Sequence, residues 1–147
     1  MEKYESFLAE FAKGKTMVLS SSEKGKVSSR MMSVVCINGA FYFQTDRSFR
    51  KYRQLMDNPQ AALCIDNIQI EGVCRELGSP MDEPLFCKVF QECFGGSFRA
   101  YSSLENERLF VLEPAHVQRW VYKNGVPFIE VFDLKEQKHE INEYRGI

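Results

Sequence analysis

The dipeptide Asn38-Gly39 narrows what this chain can become more than any other feature. Both residues readily take the positive φ that a two-residue type I′ turn requires, and strand-forming runs flank them at 27–37 and 41–45. A β-hairpin is therefore fixed in the first half of the chain. Directly after it the pattern changes to a basic, helix-like segment, RSFRKYR, in which Arg47, Arg50, Lys51 and Arg53 bring positive charge. Thr45, Asp46 and Ser48 stand where helix caps belong. The free N–H groups of a helix start attract anions, so cations gathered at that end favour a phosphate. The bland alternative is a solvated basic face.

Around this hairpin the remaining periodicities predict more sheet than helix. Tyr4, Phe7, Leu8 and Phe11 recur at helical spacing, which predicts an amphipathic helix over 3–13 closed by Gly14 and covering one end of a core. A short strand at 16–20 and a turn at Glu23-Lys24-Gly25 precede the central hairpin. The basic segment predicts a helix over 48–57, stopped by Asn58-Pro59. Two strands follow at 61–66 and 68–77, and Gly72 within the second marks a bulge or a close backbone approach. From Asp82, the residues Leu85, Phe86, Val89, Phe90, Cys93 and Phe94 predict a second covering helix, ended by Gly95-Gly96 before a polar link. Strands at 109–112, 117–122 and 127–132 complete the set, separated by Glu113-Pro114 and Lys123-Asn124-Gly125. The charged tail from Lys135 reads as loosely held. The expectation is a mainly β fold with flanking helices, its strands closed into a barrel because closure removes unpaired edges.

Composition bounds the function. A chain of 147 residues suits one domain, taken as 1–147. A hydrophobic share of 44%, a net charge of −1 and a pI near 6.2 argue against a general nucleic-acid or membrane-surface binder. RSFRKYR interleaves Phe49 and Tyr52 with cations as a single-stranded nucleic-acid platform does, but the neutral whole-chain charge makes that a minor reading. No apolar run would span a bilayer and the N-terminus is amphipathic and contains acids, so a cytoplasmic location is expected. The five cysteines, Cys36, Cys64, Cys74, Cys87 and Cys93, form no CxxC pair and read as reduced core thiols. His116 and His139 have no second ligand nearby in sequence, so no metal is assigned. Without a nucleophile elbow, Walker loop or GxGxxG, the chemistry has to come from a cofactor.

Arg30 lies in a strand-like run, where it either faces solvent or offers a planar fork to a phosphate or carbonyl. Arg30-Met31-Met32-Ser33, then Phe43-Gln44-Thr45, then Arg50-Lys51, then Asn58-Pro59-Gln60-Ala61-Ala62-Leu63 form an order that resembles the FMN-binding split-barrel proteins related to pyridoxamine 5'-phosphate oxidase, especially the short general-stress-protein branch. The resemblance covers residues 5–122 and is most specific over 28–63. It implies FMN as cofactor, with Arg30 and backbone groups of Met31, Met32 and Ser33 at the ring system. It also implies Thr45, Arg50 and Lys51 at the phosphate. The family usually has a serine two positions before the lysine; here that position is Phe49, with Ser48 beside it. The resemblance further implies a homodimer with the flavin in the groove between barrels. Trp120 resembles a late-strand tryptophan contributed by the partner, or is an ordinary interface or core aromatic. The C-terminal substrate-binding residues of the larger oxidases have no match, so vitamin B6 oxidation is not expected. The expected activity is hydride or electron transfer between reduced nicotinamide and a small acceptor; the alternative is a non-catalytic flavin or haem carrier or sensor. A deazaflavin in place of FMN stays open.

Overall fold

The computed structural model describes residues 2–146. Eight antiparallel strands follow the order β3-β2-β1-β4-β5-β6-β7-β8, and an additional β3–β6 pairing closes the first six into a barrel. Their spans are β1 Lys15–Glu23, β2 Lys26–Ile37, β3 Ala40–Asp46, β4 Gln60–Ile65, β5 Ile68–Gly78, β6 Glu107–Lys123, β7 Val126–Asp133 and β8 Lys138–Glu143. Asn38 and Gly39 take φ of 50° and 83°, the left-handed pair that a type I′ hairpin demands. The alternation of each strand sends Met17, Leu19, Phe41, Phe43, Leu63, Ile70 and Leu112 inward, all essentially without solvent access. Burying each such side chain stabilises by roughly 1.5–3 kcal/mol.

Helices close the two ends and cover one outer face. Helix α1 (Glu2–Leu8) and the 3₁₀ turn Ala9–Phe11 bring Phe7 onto Phe132 and Phe11 onto Phe41, with ring centroids 5.4 and 5.3 Å apart. Helix α2 (Arg50–Asp57) lies at the opposite end and sinks Leu55 and Gln54. Helix α3 (Pro84–Cys93) presses Phe86 and Phe90 onto the outward side chains Val35, Ile37 and Leu109. No helix among the described residues is long and apolar enough to cross a membrane.

Three sequence expectations need correction. Glu113-Pro114 does not divide two strands, because β6 runs unbroken over seventeen residues. The register against β5 jumps from Glu71↔His116 to Gly72↔Pro114, so a bulge absorbs the proline. A Cβ at Gly72 would run into the Glu113 carbonyl oxygen, so only glycine permits that approach. Gly95-Gly96 does not stop helical structure either: neither residue takes positive φ, and turns continue through Gly95–Ser97 and Phe98–Ser102. Phe94 and Phe98 pack on the α3 cluster, and the Ser102 hydroxyl donates to Gln44 Oε1 at 2.7 Å, which fixes this segment. Finally, the tail is not loose; β8 pairs with β7 over six residues, from Asp133↔Lys138 to Phe128↔Glu143.

Candidate functional site

The barrel is open along one seam. β2 pairs with β3 only at Val35, Cys36 and Ile37, whereas β3 continues to pair with β6 as far as Asp46↔Glu107. The backbone of Met31, Met32 and Ser33 therefore pairs with β1 on one side and, among the described residues, with no strand on the other. Helix α2 sits at this opening. Two polar networks hold it there. On one side, Arg30 donates to the Leu19 carbonyl at 3.1 Å, to Ser21 Oγ at 2.8 Å and to Gln54 Oε1 at 3.0 Å, while Ser21 donates to the same Gln54 oxygen at 2.7 Å. On the other side, the Tyr52 hydroxyl donates to Glu76, which also accepts from Arg108 at 2.8 Å.

The first turn of α2 is where charge is left over. Phe49 occupies the N-cap position in an extended conformation, and no side chain caps the helix. Ser48 is turned away: its N–H and its hydroxyl both donate to Asp46 Oδ1 at 2.7 Å, and these bonds hold the Asp46 carboxyl below its ordinary range. A cavity of about 280 Å³ opens over this turn, lined by Ser28, Ser29, Arg30, Phe49, Arg50 and Lys51. Ser28 Oγ accepts from both Arg50 and Gln54, so its own proton is free to donate into the cavity. Among the described residues no ion pair includes Arg30, Arg50 or Lys51. Burial first, then the Arg30 charge, pushes the Lys51 ammonium below its usual value; burial and then Arg50 do the same to Arg30. Cations that repel one another beside unpaired helix N–H groups fit an anion.

The sequence-expected residues do not all meet here. Arg30, Arg50 and Lys51 share the cavity. Thr45 is buried at 3% exposure on the inward face of β3, and its Oγ1 has no hydrogen-bond partner. Strand alternation splits the neighbouring triplet: Met32 enters the core, while Met31 projects outward at 60% exposure, with Ser33 on its side of the strand. Trp120 stands edge-on to Tyr144, ring centroids 5.2 Å apart, over a separate cavity of about 330 Å³ that Cys64 and Asn67 also line. Three contributors had no local signal. Ser28 and Gln54 meet only once the β1–β2 hairpin folds over α2. Glu107 arrives from β6, nearly inaccessible at 7%; burial and then Asp46 push its carboxyl up to about 7, against the pull of Lys51.

Residues 2–121 match the family model described as pyridoxamine 5'-phosphate oxidase. The chain belongs to this family. Among solved structures, the general stress protein 26 of Bacillus anthracis str. Sterne is 19% identical over 80% of this chain and 92% of its own, with a TM-score of 0.63. A pyridoxamine 5'-phosphate oxidase-related, FMN-binding protein from Nostoc punctiforme PCC 73102 is 15% identical over 99% and 93%, with a TM-score of 0.66. HutZ, the heme storage protein of Vibrio cholerae, is 21% identical over 77% and 88%, with a TM-score of 0.60. Likeness at these identities is likeness of fold. No curated protein matches in sequence. As a member of the pyridoxamine 5'-phosphate oxidase family, the chain has that family's split barrel: β1–β6 close, and β2 and β3 part where α2 enters.

Proposed function

We propose that this family member is an FMN-binding flavoprotein that holds the cofactor phosphate at the start of α2. The observation that carries this reading is the cavity over the uncapped α2 turn, where Arg30, Arg50 and Lys51 converge and, among the described residues, form no ion pair. Arg50 and Lys51 bind the phosphate by charge, and the Ser28 hydroxyl and the α2 N–H groups donate to it. Arg30, already fixed on Leu19, Ser21 and Gln54, orients the ligand without having to be ordered first. The unpaired backbone edge at Met31, Met32 and Ser33 is available to hydrogen-bond the ring edge. When bound, the isoalloxazine supplies the redox chemistry, moving a hydride or electrons between reduced nicotinamide and a small acceptor. A second copy of the chain, seated on the outer face that carries Met31, would bring its own Trp120 toward the ring.

The purified protein should show a two-band flavin spectrum that travels with a dimer in gel filtration after incubation with FMN. Retention of full FMN affinity by a folded Arg50→Ala, Lys51→Ala double variant would overturn the phosphate assignment. A non-catalytic flavin or haem carrier is the second reading, supported by the likeness of fold to the heme storage protein HutZ. Oxidation of reduced nicotinamide faster than with free FMN decides for the enzyme; equality decides for the carrier.

A further inference from the structure

The β1–β2 hairpin is longer than the barrel needs. β1 pairs with β4 only at Val18, Leu19 and Ser20, yet it continues against β2 through Ser21↔Ser28, Ser22↔Val27 and Glu23↔Lys26. The projecting tip turns on Lys24 and Gly25, at φ of 51° and 79°, and leans over α2. Asn58 donates to Ser22 Oγ at 2.9 Å, and Arg53 donates to both Glu23 oxygens at 3.3 Å. Between tip and helix lies a second cavity, of about 430 Å³. Its walls carry Lys24, Lys26, Arg50 and Arg53 against the single carboxylate of Glu23, in a chain whose net charge is −1. It shares Ser28 and Arg50 with the cavity over the first turn of α2.

We infer that this groove is a second anion subsite, and that the two adjoining cavities together take a diphosphate, as carried by a flavin adenine dinucleotide. The inference rests on the reading of the α2 start as a phosphate site. Two phosphoryl groups joined through one oxygen require neighbouring subsites with a cation common to both. Arg50 lines both cavities and so stands where such a shared cation is needed. Lys24 and Lys26 then bind the outer phosphoryl group as point charges, and the nucleoside leaves past the hairpin tip.

The test compares FMN, FAD, AMP and ADP binding by calorimetry on the full chain and on a Lys24→Asn, Lys26→Thr variant. Asparagine keeps the left-handed turn and threonine keeps the strand. FAD should bind the unaltered chain about tenfold or more tighter than FMN, and ADP tighter than AMP by a similar factor. The variant should lose both preferences while its FMN and AMP affinities stay within about twofold. Equal affinity for mono- and diphosphates, or a preference that survives in the variant, overturns the inference and leaves the FMN reading standing. Absence of all flavin binding with the ADP preference intact overturns the FMN reading and keeps the diphosphate subsite. ADP binding that adds to FMN-loaded protein, with no FAD preference, would mean two separate anions and overturns the joined site.

Discussion

Two charged clusters in this molecule behave oppositely. At the junction of β6, β7 and β8, Arg119 donates to Glu130 at 2.7 Å and to Glu10 at 2.8 and 3.1 Å, while His139 meets the other Glu130 oxygen at 2.8 Å. Burial alone would raise the Glu130 carboxyl, but the bonds from His139 and Arg119 outweigh it and hold the group below its ordinary range. At the start of α2, Arg30, Arg50 and Lys51 face one another, and the nearest buried carboxylate, Glu107, is pushed up rather than down. The contrast separates charge that builds a fold from charge that, on the proposed function, takes up a ligand. A satisfied network stabilises by internal pairing, and an unsatisfied one stores repulsion that an anion relieves.

The sharpest way to break this comparison is at the unsatisfied cluster. Arg50→Ala with Lys51→Ala should lower FMN affinity by about two to three orders of magnitude, from two lost charge-assisted contacts, without lowering the urea midpoint. Fluorescence titration and urea unfolding together check it, and a fall in stability would place these cations with the structural ones. At the satisfied cluster the expectation reverses. Glu130→Ala should destabilise the fold by about 2–4 kcal/mol in urea, because it removes the acceptor that Arg119 and His139 share and leaves Arg119 only Glu10, and should leave FMN affinity unchanged.

The two carboxyls also predict opposite pH responses. Glu107 is protonated in the fold at pH values where the unfolded chain has lost that proton. Its contribution is therefore present in acid and lost as pH rises from the ordinary carboxylate range through about 7. Glu107→Gln should remove that loss and gain about 1–3 kcal/mol at pH 8 relative to pH 5. Glu130 contributes above the ordinary carboxylate range and is lost only as pH falls through its lowered value. Thermal midpoints taken from pH 4 to 8 on both variants would show the two slopes. The smallest effect is expected at Ser48, whose hydroxyl is committed to Asp46: Ser48→Ala should change FMN affinity by less than about twofold.

What could be read in the sequence was whatever a few consecutive residues decide. Asn38-Gly39 fixed a hairpin through its own dihedrals, the Phe7 and Phe11 stripe fixed a capping helix, and the Arg50-Lys51 pair marked the α2 start. The failures share a different cause, which is distance along the chain. Pro114 looked like a strand end because the glycine that accommodates it, Gly72, lies on β5. The tail looked loose because β8 is specified by its partner β7 and by His139 reaching Glu130, rather than by its own charged residues. Gln54 reads as an ordinary polar helix residue until the Ser21 and Ser28 hydroxyls of the hairpin meet it in the interior.

The cavity over α2 also has an unusual relation to time. Its lining comes from one short span, Ser28 to Lys51, whereas barrel closure waits for β6 to bring Glu107 to Asp46. Contacts close in sequence tend to form early and distant ones late, so the proposed anion site would be assembled during synthesis before the barrel that supports it. A phosphate-bearing ligand that engages this early structure would act as a template. It would draw the hairpin and α2 together while the last strands are still being made, and the rate of refolding, as well as its end point, would rise with ligand concentration.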